Sequence, residues 1–240
     1  MPYFEEGNRS LYVEDSGHPE GPAVLLIAPG GMKSAVSFWA STPWNPSETL
    51  AQNYRVIAMD QRNAGQSTAP VTGDDGWDTY AQDQLDLMSH LGIDKFHVAG
   101  MCIGGPYALG LIKQAPERIL SATLFQTIGR DNNKTEFYAM FDDWAGPLMS
   151  SRNTAADAWS SFRENMYGGD KVFFNVDIDF VQSVATPLLV LEGNDVYHPK
   201  SSSILLKDHA PNVTYIEEWK SGAARDAAIV ACSAFLDLHS

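Results

Sequence analysis

Six apolar runs constrain this chain more than any other feature. Ala23 to Ala28, Val56 to Met59, Phe96 to Ala99, Ile119 to Phe125 and Leu188 to Leu191 are close to continuous, and a weaker run covers Val213 to Ile216. A strand with one wet face alternates apolar and polar residues, whereas unalternating runs of four to eight residues suit strands covered on both faces, as in a parallel sheet. Helical spacing appears between the runs. Thr79 with Gln82 forms a capping-box signature, Ala81, Leu85, Met88 and Leu91 recur at helical intervals, and Gly92 offers a stop. Strand alternating with helix predicts an α/β fold with a doubly wound, mostly parallel sheet and right-handed crossovers. Ahead of the first run, Tyr3-Phe4 and Leu11-Tyr12-Val13 flank Gly7-Asn8 and read as two strands joined by a turn, which brings the expected sheet to about eight strands.

One interval breaks this rhythm. About sixty residues between Phe125 and Pro187 carry no strand signal, too many for a plain connection, and they are rich in large side chains such as Phe137, Tyr138, Phe141, Trp144, Trp159 and Phe162. We read residues 127–185 as a small helical cap inserted in a single domain spanning 1–240. The net charge of -14 disfavours phosphate backbones and anionic lipid, so neither nucleic acid nor a membrane is an expected partner, and a homodimer is left open. No run approaches the length of a membrane span, and MPYFEEGNRS lacks the basic start and apolar segment of a signal peptide, which predicts a soluble, cytoplasmic protein.

Four stretches carry chemistry, in an order and spacing that resemble the α/β-hydrolase fold family over nearly the whole chain. Ala28-Pro29-Gly30-Gly31-Met32 follows the first buried run, where that family usually has a His-Gly loop. Asp60-Gln61-Arg62-Asn63-Ala64-Gly65-Gln66-Ser67 resembles its D-x-R-G-x-G-x-S turn, with Asn63 in place of the first glycine. Gly100-Met101-Cys102-Ile103-Gly104-Gly105 resembles the nucleophile elbow G-x-S-x-G, with cysteine at its centre. Leu191-Glu192-Gly193-Asn194-Asp195 resembles the strand end that delivers the acid.

A nucleophile on a sharp strand-to-helix turn needs small neighbours, which Gly100 and Gly104 supply, and the helix amino end behind it favours an anion. Cysteine suits that place because its thiolate is the reactive species and forms more easily at a helix amino end or beside an imidazolium. Cys102 is therefore the candidate nucleophile. Cys232, among the apolar neighbours of Ile229 to Phe235 on a final helix, reads as an interior side chain. The resemblance implies an oxyanion hole from the amide of Ile103 and that of Gly31 or Met32. A substrate pocket is expected around Met101, Tyr138, Phe141 and Trp144. No phosphate or metal motif is present, so no cofactor is expected.

The general base departs from the family pattern. The family histidine follows the last strand, which corresponds to Glu217 to Gly222 here, and IEEWKSGAARD contains none. His18, His90, His97 and His239 sit in a turn, near a helix end, in a strand and at the tail; His209 reads as an exposed helix end. His198 stands apart. It follows Asp195 by three residues on the loop that normally faces the nucleophile, where an aspartate can hold one imidazole nitrogen and leave the other for a thiol. Cys102, His198 and Asp195 are the candidate triad, and Lys220 is the rival base because it falls where the histidine is missing.

The expected activity is hydrolysis of a small apolar ester, lactone, thioester or activated carbonyl compound through an acyl-enzyme. Dienelactone hydrolases are relatives with cysteine in this position. Two alternatives remain: acyl transfer or lyase chemistry on the same fold, and a non-catalytic ligand-binding protein that has lost the base.

Overall fold

The computed structural model describes residues 2–152 and 154–240. Its first two strands form the expected hairpin: β1 (Tyr3–Glu6) pairs antiparallel with β2 (Arg9–Gly17), and Gly7 takes a φ of 58° in the connection. The apolar runs become β3 (Ala23–Ile27), β4 (Arg55–Met59), β5 (Phe96–Met101), β6 (Ile119–Phe125), β7 (Leu188–Leu191) and β8 (Val213–Ile216). Together they form one eight-stranded sheet in the order β1-β2-β4-β3-β5-β6-β7-β8, antiparallel at β1-β2 and β2-β4 and parallel from there on. Every residue of β3, β5 and β7 is buried, which is why those runs carry no alternation.

The helices are α1 (Pro46–Leu50), α2 (Trp77–His90), α3 (Gly104–Gln114), α4 (Lys134–Ser151), α5 (Ala156–Tyr167), α6 (Ile178–Ser183), α7 (Lys200–His209) and α8 (Gly222–Leu238). The start expected from Thr79 is corrected for α2, which begins at Trp77 after Gly76. Thr79 is the third helical residue and its hydroxyl accepts the Gly76 N–H at 3.2 Å, so the threonine closes the first turn from inside rather than capping it from outside. Gly92 ends the helix as expected, at a φ of 71°, with Ile93 N–H donating back to Met88 O at 2.9 Å. Cys232 is buried in α8, and burial pushes its thiol up to about 12. Among the described residues no helix is long and apolar enough to cross a membrane.

Between β6 and β7 the described residues form α4, α5 and α6 and no strand. Phe137, Phe141 and Trp144 lie on one stripe of α4, at the spacing that makes a core face. Phe141 and Trp144 pack edge-on to Phe162 of α5 at 5.2 and 5.7 Å between ring centroids, and Trp144 also meets Trp159. Burying each phenylalanine is worth about 1.5–3 kcal/mol. Two indoles tie the inserted helices to the rest of the domain: Trp144 Nε1 of α4 donates to Asn63 O in the turn after β4 at 2.9 Å, and Trp77 Nε1 of α2 to Met166 O of α5 at 2.7 Å.

The turn after β4 explains its one departure from the family motif. Asn63 takes the left-handed φ of 60° that the replaced glycine would take, a conformation asparagine tolerates best among side chains, and its Oδ1 accepts Ala69 N–H at 2.8 Å. Asp60 braces the same turn by accepting the N–H groups of Val36 and Gln66.

Candidate active site

The end of β5 and the start of α3 hold Cys102 in the left-handed region at a φ of 62°, an unusual conformation for a residue with a side chain. The surrounding backbone fixes it there. Cys102 N–H donates to Phe125 O at 3.1 Å, and its carbonyl accepts Gly105 N–H at 3.1 Å and Ile128 N–H at 3.2 Å. The glycines are steric requirements: a Cβ on Gly100 would lie 2.2 Å from Gly104 O, and one on Gly105 would lie 2.0 Å from Thr127 Oγ1. Gly100→Ala is expected to cost at least about 2 kcal/mol by forcing strand and helix apart, read as a lower urea unfolding midpoint. An unchanged midpoint would mean that the elbow can widen freely.

Facing the thiol is the turn after β3. Gly30 and Gly31 have φ of 119° and 57°, and their backbone amides favour the thiolate form of Cys102. Ser34 pins the turn by donating from its hydroxyl to Ala28 O at 2.6 Å, and its carbonyl accepts Gln61 N–H. Gly31 lies on this turn, and its amide is among the groups that lower the Cys102 pKa. Gly30 joins it, a partner the sequence reading did not single out. Met32 turns its side chain inward, where its sulfur accepts the Tyr167 hydroxyl. Ile103 is the N-cap of α3, at the helix end where amides have no intrahelical acceptor.

The loop between β7 and α7 carries the acid and the imidazole. Asp195 Oδ1 accepts the N–H groups of Tyr197 and His198, both at 3.0 Å, and Asp195 N–H donates to His198 O at 3.2 Å. This closed turn sets His198 Nδ1 2.8 Å from both carboxylate oxygens. A carboxylate only accepts, so Nδ1 carries the proton and Nε2 is free to act as a base. Nε2 is buried and makes no hydrogen bond, and the Cys102 thiol is among the groups that raise the imidazole's pKa.

Electrostatics couple the three groups. Burial pushes the Cys102 thiol up, but the imidazole of His198 and the amides of Gly30 and Gly31 outweigh it, and the thiol ends below its ordinary value. For His198, burial alone would lower the pKa; Cys102 and Asp195 overcome it and raise the imidazole to about 9. Asp195 is lowered, its burial outweighed by His198 and the two loop amides. The pair therefore favours thiolate with imidazolium between the two titrations. Alkylation of Cys102 by iodoacetamide should accordingly reach half its plateau below the usual thiol range near 8.5. A half-point at or above that value would contradict the coupling.

Where the family histidine would stand, Trp219 is buried against Phe125 at 5.7 Å and donates from Nε1 to Glu192 O at 2.9 Å. Next to it, Lys220 Nζ donates to Asn194 Oδ1 at 2.8 Å; burial lowers its pKa, with Asp195 and Glu192 opposing. These two residues hold the first part of the Asp195 loop, at Glu192 and Asn194. Lys220, the rival base, thus has its amine engaged by that loop.

The side chains expected to line a pocket are distributed differently. Phe141 and Trp144 belong to the α4–α5 interior, because their stripe is the core face of α4, and Tyr138 lies outside it, donating to Glu164 Oε2 at 2.8 Å with Arg163 and Lys134 over its ring. Met101 is the last residue of β5, buried beside Cys102. The parts of α4 that approach the site are Met140, whose sulfur would lie 2.1 Å from a Cβ on Gly31, and Phe137, whose ring meets Tyr197 at 5.6 Å. Their positions on the same helix as the expected residues are the only local signal for them. Among the described residues, no group of three or more His, Cys, Asp or Glu side chains is arranged to hold a metal.

Comparison with known proteins gives the same architecture. A putative carbamate hydrolase RutD of Azorhizobium caulinodans is 34% identical over 124 residues, 52% of this chain and 43% of that protein. The chain thus matches less than half the length of that relative. A putative carbamate hydrolase RutD of Caulobacter sp. is 24% identical over 233 residues, covering 85% of each. Among solved structures, the enol-lactonase from Burkholderia xenovorans superposes with a TM-score of 0.71 at 21% identity, over 98% of this chain and 100% of that one. A family described as alpha/beta hydrolase fold matches residues 23–174, more than half of the sequence, and the chain belongs to that family.

Proposed function

We propose that this protein is a hydrolase that attacks the carbonyl carbon of a small apolar ester, lactone, thioester or related acyl compound with the Cys102 thiolate. The observation that carries this reading is the His198 imidazole, with Nδ1 held by Asp195, a buried Nε2 left without a hydrogen-bond partner, and an electrostatic coupling to the Cys102 thiol. Thiolate addition moves the carbonyl electron pair onto oxygen, and the amides of Ile103 and Gly31 receive that oxyanion. Its collapse expels the leaving group, which takes the proton from the imidazolium. Neutral His198 then deprotonates a water, the water attacks the thioester, and the thiolate leaves. The helices between 134 and 183 act as a cap over this site within a single-domain chain, with Met140 on the oxyanion turn.

Carbamates and enol lactones, named for relatives, are the first substrates to test, along with activated aryl esters and thioesters. Products should be identified with and without an added alcohol, amine or thiol acceptor. The proposal expects the free acid as product whether or not an acceptor is present. An acylated acceptor as the only product would replace hydrolysis with transfer, a carbon-carbon cleavage product would replace it with lyase chemistry, and no turnover across the panel would contradict an enzyme of this class.

A further inference from the structure

Tyr167, the last residue of α5, has its ring completely enclosed. It stacks on Phe137 at 5.3 Å and meets Phe174 edge-on at 5.3 Å and Trp77 at 5.9 Å. Its carbonyl accepts Arg130 Nη2 at 2.8 Å, so backbone and ring are both held. The hydroxyl is directed onto the turn after β3, where it donates to the Met32 sulfur at 3.5 Å. A thioether is a weak acceptor, and buried hydroxyls ordinarily find oxygen or nitrogen. A phenylalanine would fill the same ring site without this poorly matched group. The hydroxyl is thus a rigidly held donor on the side chain of Met32, the residue that follows Gly31, and the Gly30 and Gly31 amides favour the thiolate of Cys102.

We propose that Tyr167 Oη is a third oxyanion donor, contributed by the helical insertion, which exchanges the Met32 sulfur for the substrate's carbonyl oxygen as Cys102 adds to the carbonyl carbon. This inference rests on the hydrolase reading above. The negative charge that forms on that oxygen is a far better acceptor than a thioether, so the hydrogen bond strengthens as the transition state is reached, and no proton needs to transfer. Burial, with lesser contributions from Tyr80 and Cys102, raises the phenol well above its ordinary value, so it remains a donor at any pH at which the enzyme works. Because both ring and backbone are fixed before substrate arrives, little reorganisation accompanies the exchange.

The test compares wild type with Tyr167→Phe in two reactions of the same thiol. Acylation by an activated aryl ester develops a carbonyl oxyanion; alkylation by iodoacetamide displaces iodide and develops none. The inference expects kcat for the ester to fall by about 100-fold with KM little changed, while the rate and pH profile of alkylation stay as in wild type. Intact alkylation also reports a folded site, so a misfolded variant is recognised. Equal acylation in both proteins would overturn the role of Tyr167 and leave the hydrolase reading standing. A parallel loss of alkylation and acylation would assign the hydroxyl to structure and overturn it too. Wild type that alkylates but is acylated by no ester, lactone, carbamate or thioester would remove the hydrolase reading, and this inference with it.

Discussion

Cys102→Ala is expected to lose turnover of every substrate the wild-type protein accepts, by about 1,000-fold or more. The side chain removed is the only part of the elbow that can form a covalent bond to a substrate; the glycines, the backbone amides and the His198–Asp195 turn all remain. Alanine fits the left-handed backbone no worse than cysteine and is smaller, so stability should change little. Brief exposure to iodoacetamide should label Cys102 in wild type and leave the variant unlabelled, since Cys232 is buried in α8 with a strongly raised pKa. Turnover that survives in Cys102→Ala would move the chemistry to a water activated elsewhere.

His198→Ala is expected to lower kcat by about 100- to 10,000-fold, the range associated with a positioned acid-base group. The sign of the accompanying pKa change follows from the burial of the thiol. Burial raises it, and the imidazole is the first of the groups that bring it back down. Without His198, the alkylation half-point should therefore move to higher pH, leaving less thiolate at neutrality. Raising the pH should restore attack on an activated ester more than it restores release of the acid. Attack needs only the thiolate, whereas hydrolysis of the thioester still lacks the base for its water. Acyl-enzyme should consequently persist in the variant. A half-point that stays in place would assign the depressed thiol to the Gly30 and Gly31 amides alone.

Much of this arrangement was legible before any coordinates. The six runs became six strands within one or two residues at either end, because burial on both faces of a parallel sheet selects local composition directly. The elbow was legible for a similar reason: Gly100, Gly104 and Gly105 answer steric demands within a few residues of one another, and such demands leave a motif. The Asp195 turn runs over four residues, Asp195 to His198, and could be anticipated from the Asp and His spacing. What escaped depends on contacts between distant segments. Met140 meets Gly31 across more than a hundred residues, Tyr167 reaches Met32 across 135, and neither pairing leaves a trace in local spacing. Phe141 and Trp144 were expected at a substrate surface because aromatic side chains suit pockets, but the same residues at helical spacing also make a core face, and packing against Phe162 decided between the two. Trp219 lies in the segment where the family pattern has its histidine, and its packing on Phe125 and bond to Glu192 O join segments too distant to be read from that stretch.

The most direct test of the Cys102 account is a rapid acid quench of the protein mixed with an activated ester or enol lactone that it turns over, followed by digestion and peptide mass analysis. One acyl group is expected on the peptide containing Cys102, formed fast enough to lie on the path to product and longer-lived in His198→Ala. Full turnover with no acyl group on that peptide at any time after mixing would contradict attack by Cys102.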